Sequence, residues 1–339
     1  MIGFSAPITS VLCFAGVAMD AILGEPPRAH PLVGFGKLAT RLERALNPDR
    51  NAAHKSSEAG LGHAISPVPP VPPASPALQA RIAGILAWAV AVIPPVVLLV
   101  VLTHVLPVVL SCAIQVIALW FALGARSLVD HIGPVEKALN AGDLALARTL
   151  TSRVVTRDLS DADEHAVAKA AIESALENGN DAIFGALFWF VVAGGAGALA
   201  FRLVNTLDAM WGYRTPRMRY FGWAAARLDD AANYIPARLT ALTYALCGNA
   251  RNALACWRMQ ASAWESPNAG PVMASGAGSL GVACGGAAWY HGTLEARPEL
   301  GSGRAPRAAD IGRALSLVKR SVALWLAAIA LLAAASTFL

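Results

Sequence analysis

The sequence predicts an all-α, polytopic integral membrane protein with helical loops on the cytoplasmic side, on three observations. Hydrophobic residues make up 56% of the 339 residues and charged residues only 14%, with a mean hydropathy of +0.51, outside the usual range of soluble globular chains. Ile82 to Leu123 contains no Asp, Glu, Lys or Arg. No run shows the period-two, β-branched alternation of a half-buried strand.

The elements follow in chain order. The apolar run near 1–23 lacks the basic start of a cleaved signal and reads as a membrane anchor. A helix is expected over Leu32 to Leu46. Residues 65–76, rich in proline, form a semi-extended linker without chemistry. As one helix at 1.5 Å per residue, Ile82 to Leu123 would be about 63 Å long, twice a hydrocarbon core of ~30 Å. It therefore crosses twice, near 82–102 and 105–123, turning at Thr103, His104 and Pro107. Further helices are expected over Pro134 to Leu139, Leu144 to Arg153, Asp161 to Glu177 with its start signalled by Ser160 and Asp163, and Tyr220 to Asn233. Apolar runs near 182–201 and 321–339 complete a single membrane-embedded domain over 1–339.

Charge and cysteine content exclude several classes. The net charge of +5 is dispersed among polar segments beside apolar runs, which suits lipid headgroups or an anionic substrate and not nucleic acid. Five scattered cysteines, none in C-x-x-C spacing, indicate neither a disulfide framework nor a zinc site. The positive-inside rule assigns all three polar segments to the cytoplasm, yet the third, with 14 of the 27 Lys and Arg, lands outside if Ala182 to Phe201 spans fully. A re-entrant or protein-buried Ala182 to Phe201 resolves the conflict. The glycine-rich stretch Gly270 to Tyr290 resembles a loop lining a cavity.

Three acidic or polar groups are candidates for chemistry. Helical spacing stacks His165, Lys169, Glu173 and Glu177 on one face with Asp181 a turn further, at the lip of an apolar run. Acids at a helix C-terminus are unfavourable there, so a cationic partner is expected. Asp229 or Asp230 with Asn233 shares a helical face; such hard oxygen ligands suit Mg²⁺, and Arg227 and Arg238 suit phosphate. Ser266 and Asn268 lie beside glycines whose bare backbone permits close approach to a ligand, or equally close helix packing. Gly276, Gly278 and Gly281 form a G-x-G-x-x-G, but no strand precedes it and no acid follows at the expected distance.

Ordered motifs then give a family resemblance. They are Asp20-x-x-Leu-Gly-Glu-Pro with His30-Pro31; Ala125-Arg-Ser-Leu128; Gly142-Asp-Leu with Ala147-Arg148; Val154-Val-Thr-Arg-Asp158; Glu173-Ser-x-x-Glu-Asn178 with Asp181; Leu228-Asp-Asp with Asn233 and Ile235-Pro-Ala-Arg-Leu-Thr240; and Ser266-Pro-Asn-Ala-Gly270. Over nearly its whole length the chain resembles the CobD/CbiB family, the membrane adenosylcobinamide-phosphate synthases of cobalamin biosynthesis. The resemblance implies a ligase of the inner membrane that forms an amide between (R)-1-amino-2-propanol, or its O-phosphate, and a propionate carboxylate of adenosylcobyric acid. ATP as co-substrate and Mg²⁺ are implied. On that footing Glu173, Glu177, Asp181, Asp229 and Asp230 are catalytic or Mg²⁺-nucleotide candidates, the last four as metal ligands. Arg157, Arg227 and Arg238 would bind phosphates, and His30 or a carboxylate would deprotonate the amine. Asn233, Ser266 and Asn268 would hydrogen-bond amides at the corrin edge. Homo-oligomers and complexes with other corrinoid-pathway enzymes stay open. The competing classes are a non-catalytic membrane sensor and a corrinoid transporter.

Overall fold

The computed structural model describes residues 5–25, 31–49, 74–290 and 292–338. His30 and residues 65–73 of the proline-rich linker lie outside them. Helices dominate, in this order: α1 (Ala6–Leu23), α2 (Pro31–Leu46), α3 (Ala74–Val105), α4 (Val108–Ala122), α5 (Ala125–Asn140), α6 (Leu144–Thr151), α7 (Glu164–Gly179), a π-helical turn (Asn180–Phe184), α8 (Gly185–Trp211), α9 (Trp223–Cys247), α10 (Ala250–Gln260), a 3₁₀ turn (Ala261–Ala263), α11 (Ala269–Leu280) and α12 (Ala308–Ala335). Among the described residues five segments are long and apolar enough to cross a membrane: Ala6–Leu23, Ala77–Val105, Val108–Asn140, Glu164–Trp211 and Ala308–Ala335. The architecture is all-α and polytopic, as the composition requires.

The chain forms two compact units. One comprises Met1–Glu25, Cys112–Ala198 and Ala232–Leu339; the other comprises Pro26–Ser111 and Leu199–Ala231. In the smaller unit, α2 packs on α3, and Ala39, Ala87, Ala91, Val92, Leu203, Leu207, Trp211 and Phe221 form the core. Its polar tie is Glu43, buried in α2, which accepts hydrogen bonds from Arg217 and from Asn47 at 2.9 Å. The turn between α3 and α4 falls at the expected place, and Ser111 Oγ donates to the Thr103 carbonyl at 3.0 Å.

In the larger unit α7 is the central element, with Val167, Ala168, Ala170, Ala171, Ile172, Ala175 and Leu176 all buried against α5, α6, α11 and α12. Two of the sequence motifs meet to start α5: the Asp20 carboxylate, buried in α1, accepts from the Arg126 N–H at 2.9 Å. An acid outside the helix thereby satisfies a backbone donor that the first turn leaves open. The start of α12 is capped instead by an acid of its own first turn. Asp310, fully buried, accepts from the Arg307 N–H at 2.9 Å and from the side chains of Arg304 and Arg313.

Four expectations need correction. Asp163, not Ser160, caps α7, accepting from the Ala166 N–H at 2.7 Å, while Ser160 donates to Asp158. Nor does a helix end follow Glu177. The chain passes through the π turn directly into α8, so the unfavourable C-terminal dipole invoked there does not exist. Gly270 to Tyr290 is not a cavity-lining loop: it holds the wholly buried helix α11, whose Gly278 and Gly276 let α10 and Leu176 approach closely. Beyond it lie two short antiparallel pairs that the patterning missed, β1 (Ala283–Gly285) with β4 (Glu299–Gly301), and β2 (Ala288–Tyr290) with β3 (Thr293–Glu295). At three residues each, they are too short to carry an alternation signal.

Helix α8 is broken at Ala193 and Gly194, the latter at φ +64°. Gln115 of α4 reaches this break and its side-chain oxygen accepts from the Gly195 N–H, replacing a helical bond that the break removes. The span containing α8 is 50% buried in protein, against 22–39% for the other candidates.

Candidate functional site

In the larger unit the dominant polar feature is a buried carboxylate, Glu173, only 2% exposed. It lies on a stretch of α7 in which Ala170, Ala171, Ile172, Ser174, Ala175 and Leu176 are all buried. Arg157, from the loop before α7, forms an ion pair with it, and Arg297, from the segment between β3 and β4, approaches at 3.3 Å. The Gly285 N–H donates to Oε1 at 2.7 Å. Arg297 also donates to the Gly286 carbonyl at 3.0 Å and the Tyr290 hydroxyl at 3.2 Å, and lies 5.2 Å from the Trp264 ring centroid. The expected cationic partner is therefore present, but it occupies the carboxylate. Glu173 and Arg157, expected at Mg²⁺-nucleotide and phosphate respectively, bind each other and tie a loop, a helix and the β segment together.

About two turns on, the π turn leads into α8 and Asn180 is buried. Asn180 donates to Asp181 Oδ1 at 2.9 Å and to Asn233 Oδ1 at 2.8 Å, and accepts from Thr240 at 2.9 Å. Asn233 is thus part of a buried amide network between α9 and the π turn, while Asp181 and Glu177 stay half-buried. Arg238, a turn further along α9, lies on the Tyr234 ring and donates to Asn268 Oδ1 at 2.9 Å and the Pro267 carbonyl at 3.0 Å. Ser266 Oγ accepts from the Asn268 and Ala269 N–H groups at 3.3 and 3.2 Å, which starts α11. All three residues expected at a corrin edge, Asn233, Ser266 and Asn268, have structural tasks here.

The smaller unit carries the second acidic group. Asp229, at 9% exposure, is reached by the Asn205 amide at 3.4 Å, and Asp208 at the end of α8 lies within electrostatic range of Asp230. Arg227 approaches Asp230 at 3.9 Å, and Arg214 also acts on it. Burial raises the Asp230 carboxyl above its ordinary range, and the two arginines offset only part of that. Among the described residues no three His, Cys, Asp or Glu side chains gather into a ready-made metal cage. A donor set of one or two carboxylates fits Mg²⁺, which keeps several waters and takes substrate phosphates as its other ligands.

The sequence reading missed Asn205, Asp208, Asn180 and Arg297. The first two had a signal: Arg202, Asn205 and Asp208 recur every third residue at the end of an otherwise apolar helix. Arg297 had none, since its partner lies 124 residues away.

Comparison with known proteins agrees with the motifs. The sequence model of the CobD/Cbib protein family matches residues 13–318. The chain belongs to the CobD/Cbib family. Among CobD/Cbib relatives, "Cobalamin biosynthesis protein CobD" of Stutzerimonas stutzeri is 53% identical over 91% of this chain and 92% of its own. Proteins with the same name from Chromobacterium violaceum and Mycobacterium tuberculosis are 51% and 37% identical, over 93% and 89% of this chain and 94% and 88% of theirs. No solved structure matches.

Proposed function

We propose that this chain serves cobalamin biosynthesis as an ATP-dependent ligase. It joins (R)-1-amino-2-propanol, or its O-phosphate, to a propionate carboxylate of adenosylcobyric acid, giving adenosylcobinamide or its phosphate. The observation that carries the reading is the adjacent Asp229 and Asp230 of a CobD/Cbib chain, with Asn205 reaching Asp229, Asp208 near Asp230, and Arg214 and Arg227 acting on Asp230. A carboxylate is a poor electrophile. In the reaction one of its oxygens attacks the γ-phosphorus of ATP and ADP leaves; the amine nitrogen then attacks the acyl carbon and phosphate leaves.

Asp229 and Asp230 would hold Mg²⁺, which supplies charge neutralisation on the phosphates. Arginines spread the remaining charge as it shifts from one oxygen to another. A carboxylate released from Mg²⁺, or His30, would take the proton that the ammonium must lose before attack. A membrane surface suits this chemistry, because a large amphipathic corrinoid partitions there, and the five apolar segments support that setting; we assign it to the cytoplasmic face of the inner membrane, where ATP is available.

Purified protein with Mg-ATP, adenosylcobyric acid and either amine, followed by mass spectrometry, tests the reading. An amide product formed only with ATP supports it; no product, or product without ATP, refutes it. In a strain lacking the protein, growth rescued by cobinamide and not by cobyric acid supports the ligase. Rescue by cobyric acid at high external dose supports transport instead.

A further inference from the structure

Four exposed aliphatic side chains recur along the second half of α9, Ile235, Leu239, Leu242 and Leu246, spaced as one helical face. They are 38–64% exposed, and apart from Tyr234 no other residue between Ala232 and Cys247 is exposed. We propose that this face is embedded in the acyl chains of the bilayer, although α9 is not among the five segments long and apolar enough to cross it. The proposal concerns where the chain meets lipid and holds whichever reaction the protein catalyses.

Hydropathy overlooks this stretch because it averages around the helix, while the polar residues are turned into the protein. Asn233 accepts from Asn180 at 2.8 Å, Thr240 donates to Asn180 at 2.9 Å, and Tyr244 donates to the Leu176 carbonyl at 3.0 Å. On the flanks, Thr243 donates to the Leu239 carbonyl at 2.7 Å, and Arg238 donates to Asn268 and the Pro267 carbonyl. Groups satisfied in this way add little cost when hydrocarbon covers the outer face.

The neighbours of the stretch identify lipid as what covers it. Trp189 of α8 donates to the Ala232 carbonyl at 2.9 Å, and Trp325 of α12 donates to the Thr243 hydroxyl at 2.9 Å. Both tryptophans belong to candidate spans, and the Phe184 ring packs on Tyr244 and on Trp325. Val192, a turn beyond Trp189, and Leu324, beside Trp325, are themselves exposed on those spans. The α9 face therefore continues the apolar surface of two segments that already lie in lipid, whereas a surface in water seldom leaves such a patch uncovered. A polar boundary follows at once, with Gly248, Asn249 and Arg251 exposed. At ~1.5 Å per residue the stretch is about 24 Å long, short of a ~30 Å hydrocarbon core, so it enters the bilayer without crossing it.

The test is photo-crosslinking of the full chain in liposomes of phosphatidylethanolamine and phosphatidylglycerol, read by intact mass. The photoreactive residue p-benzoylphenylalanine replaces Leu239, Leu242 or Leu246, one at a time, in variants first shown to elute and melt as wild type does. The same probe at Leu331, exposed in the Ala308–Ala335 span, and at Leu294, exposed on β3 outside the candidate spans, sets the two ends of the scale. The α9 positions should give phospholipid adducts within about threefold of the Leu331 yield and at least about tenfold above the Leu294 yield. Adducts at the Leu294 level overturn the proposal. So does crosslinking of two chains in place of lipid, which assigns the face to a second copy. Wild type supplies a measurement that needs no variant. In nanodiscs of the same lipids, hydroxyl radicals should oxidise Leu239, Leu242 and Leu246 at least about tenfold more slowly than Leu294, and equal rates overturn the proposal.

Discussion

Replacing Glu173 by alanine should destabilise the protein severely without acting on the chemistry directly. The carboxylate is 2% exposed, and its removal strands two guanidiniums whose side chains are 9% and 12% exposed, together with the Gly285 N–H. Breaking a buried ion pair by removing one partner costs about 3–5 kcal/mol, because the remaining charge stays desolvated and uncompensated. The orphaned backbone donor adds about 1–3 kcal/mol unless water enters. A total of about 4–8 kcal/mol would be a large fraction of the ~5–15 kcal/mol that holds a domain folded. Glu173→Gln keeps the shape and an acceptor for Gly285, and should cost less. The assay is equilibrium unfolding in mixed micelles, with Arg157→Ala and the double variant completing a cycle. If Arg157 and Glu173 act as one unit, the double variant is more stable than the sum of the singles by at least 1 kcal/mol. A Glu173→Ala protein within 1 kcal/mol of wild type refutes the reasoning. So does a Glu173→Gln protein of wild-type stability and KM whose kcat has collapsed, since that would place Glu173 at the reacting atoms.

Asp230→Ala should lower turnover at least tenfold, about 1.4 kcal/mol of barrier, measured by amide formation at saturating Mg-ATP. Because burial raises the Asp230 carboxyl, its ionised form costs stability above the folded pKa, and that cost disappears as pH falls through it. Asp230→Asn should therefore melt higher than wild type at neutral pH while losing turnover; a lower melting point counts against the site. Glu43 has the opposite sign. Burial raises its carboxyl, but hydrogen bonds from Arg217 and Asn47 and the Arg217 charge bring it below its ordinary value of 4.5. Its contribution is whole above that value and fades as pH falls through the lowered one, so the stability gap between wild type and Glu43→Gln should narrow on acidification below about pH 4.5. Gly179→Ala places a methyl against the buried Tyr244 hydroxyl, which donates to the Leu176 carbonyl at 3.0 Å, and should cost about 1–3 kcal/mol. Tyr244→Phe in the same chain should recover part of that loss in thermal unfolding. Gln115→Ala leaves the Gly195 N–H without its acceptor at the break in α8 and should lower stability by about 1–3 kcal/mol, read by the same melt.

The membrane class, the double crossing turned at Pro107, and most helices were legible in sequence because each depends on local facts: the length of an uncharged run, an apolar period, a breaker. Family membership was legible because its motifs recur in order. Glu173 and Arg157 were identified as charged residues of consequence, yet their relation was not, since nothing in the spacing of positions 157 and 173 says that both turn inward. Ser160 looked like a cap because the S-x-x-D pattern was present; Asp163 won because its side chain sits directly ahead of Ala166, while Ser160 was already engaged by Asp158. Helix α11 was misread because glycine weakens an isolated helix, and only the close approach of α10 and Leu176 compensates for that.

By itself, the amino-acid order determined which segments prefer lipid and which carry hard oxygen donors and guanidiniums, since hydropathy and charge belong to residues one at a time. Only the tertiary structure decided that Glu173 is consumed by Arg157 and Arg297 and that Asn233 is consumed by Asn180. Those outcomes depend on which buried polar groups the packed helices bring together, and the partners come from segments up to 124 residues apart, where no local pattern reaches.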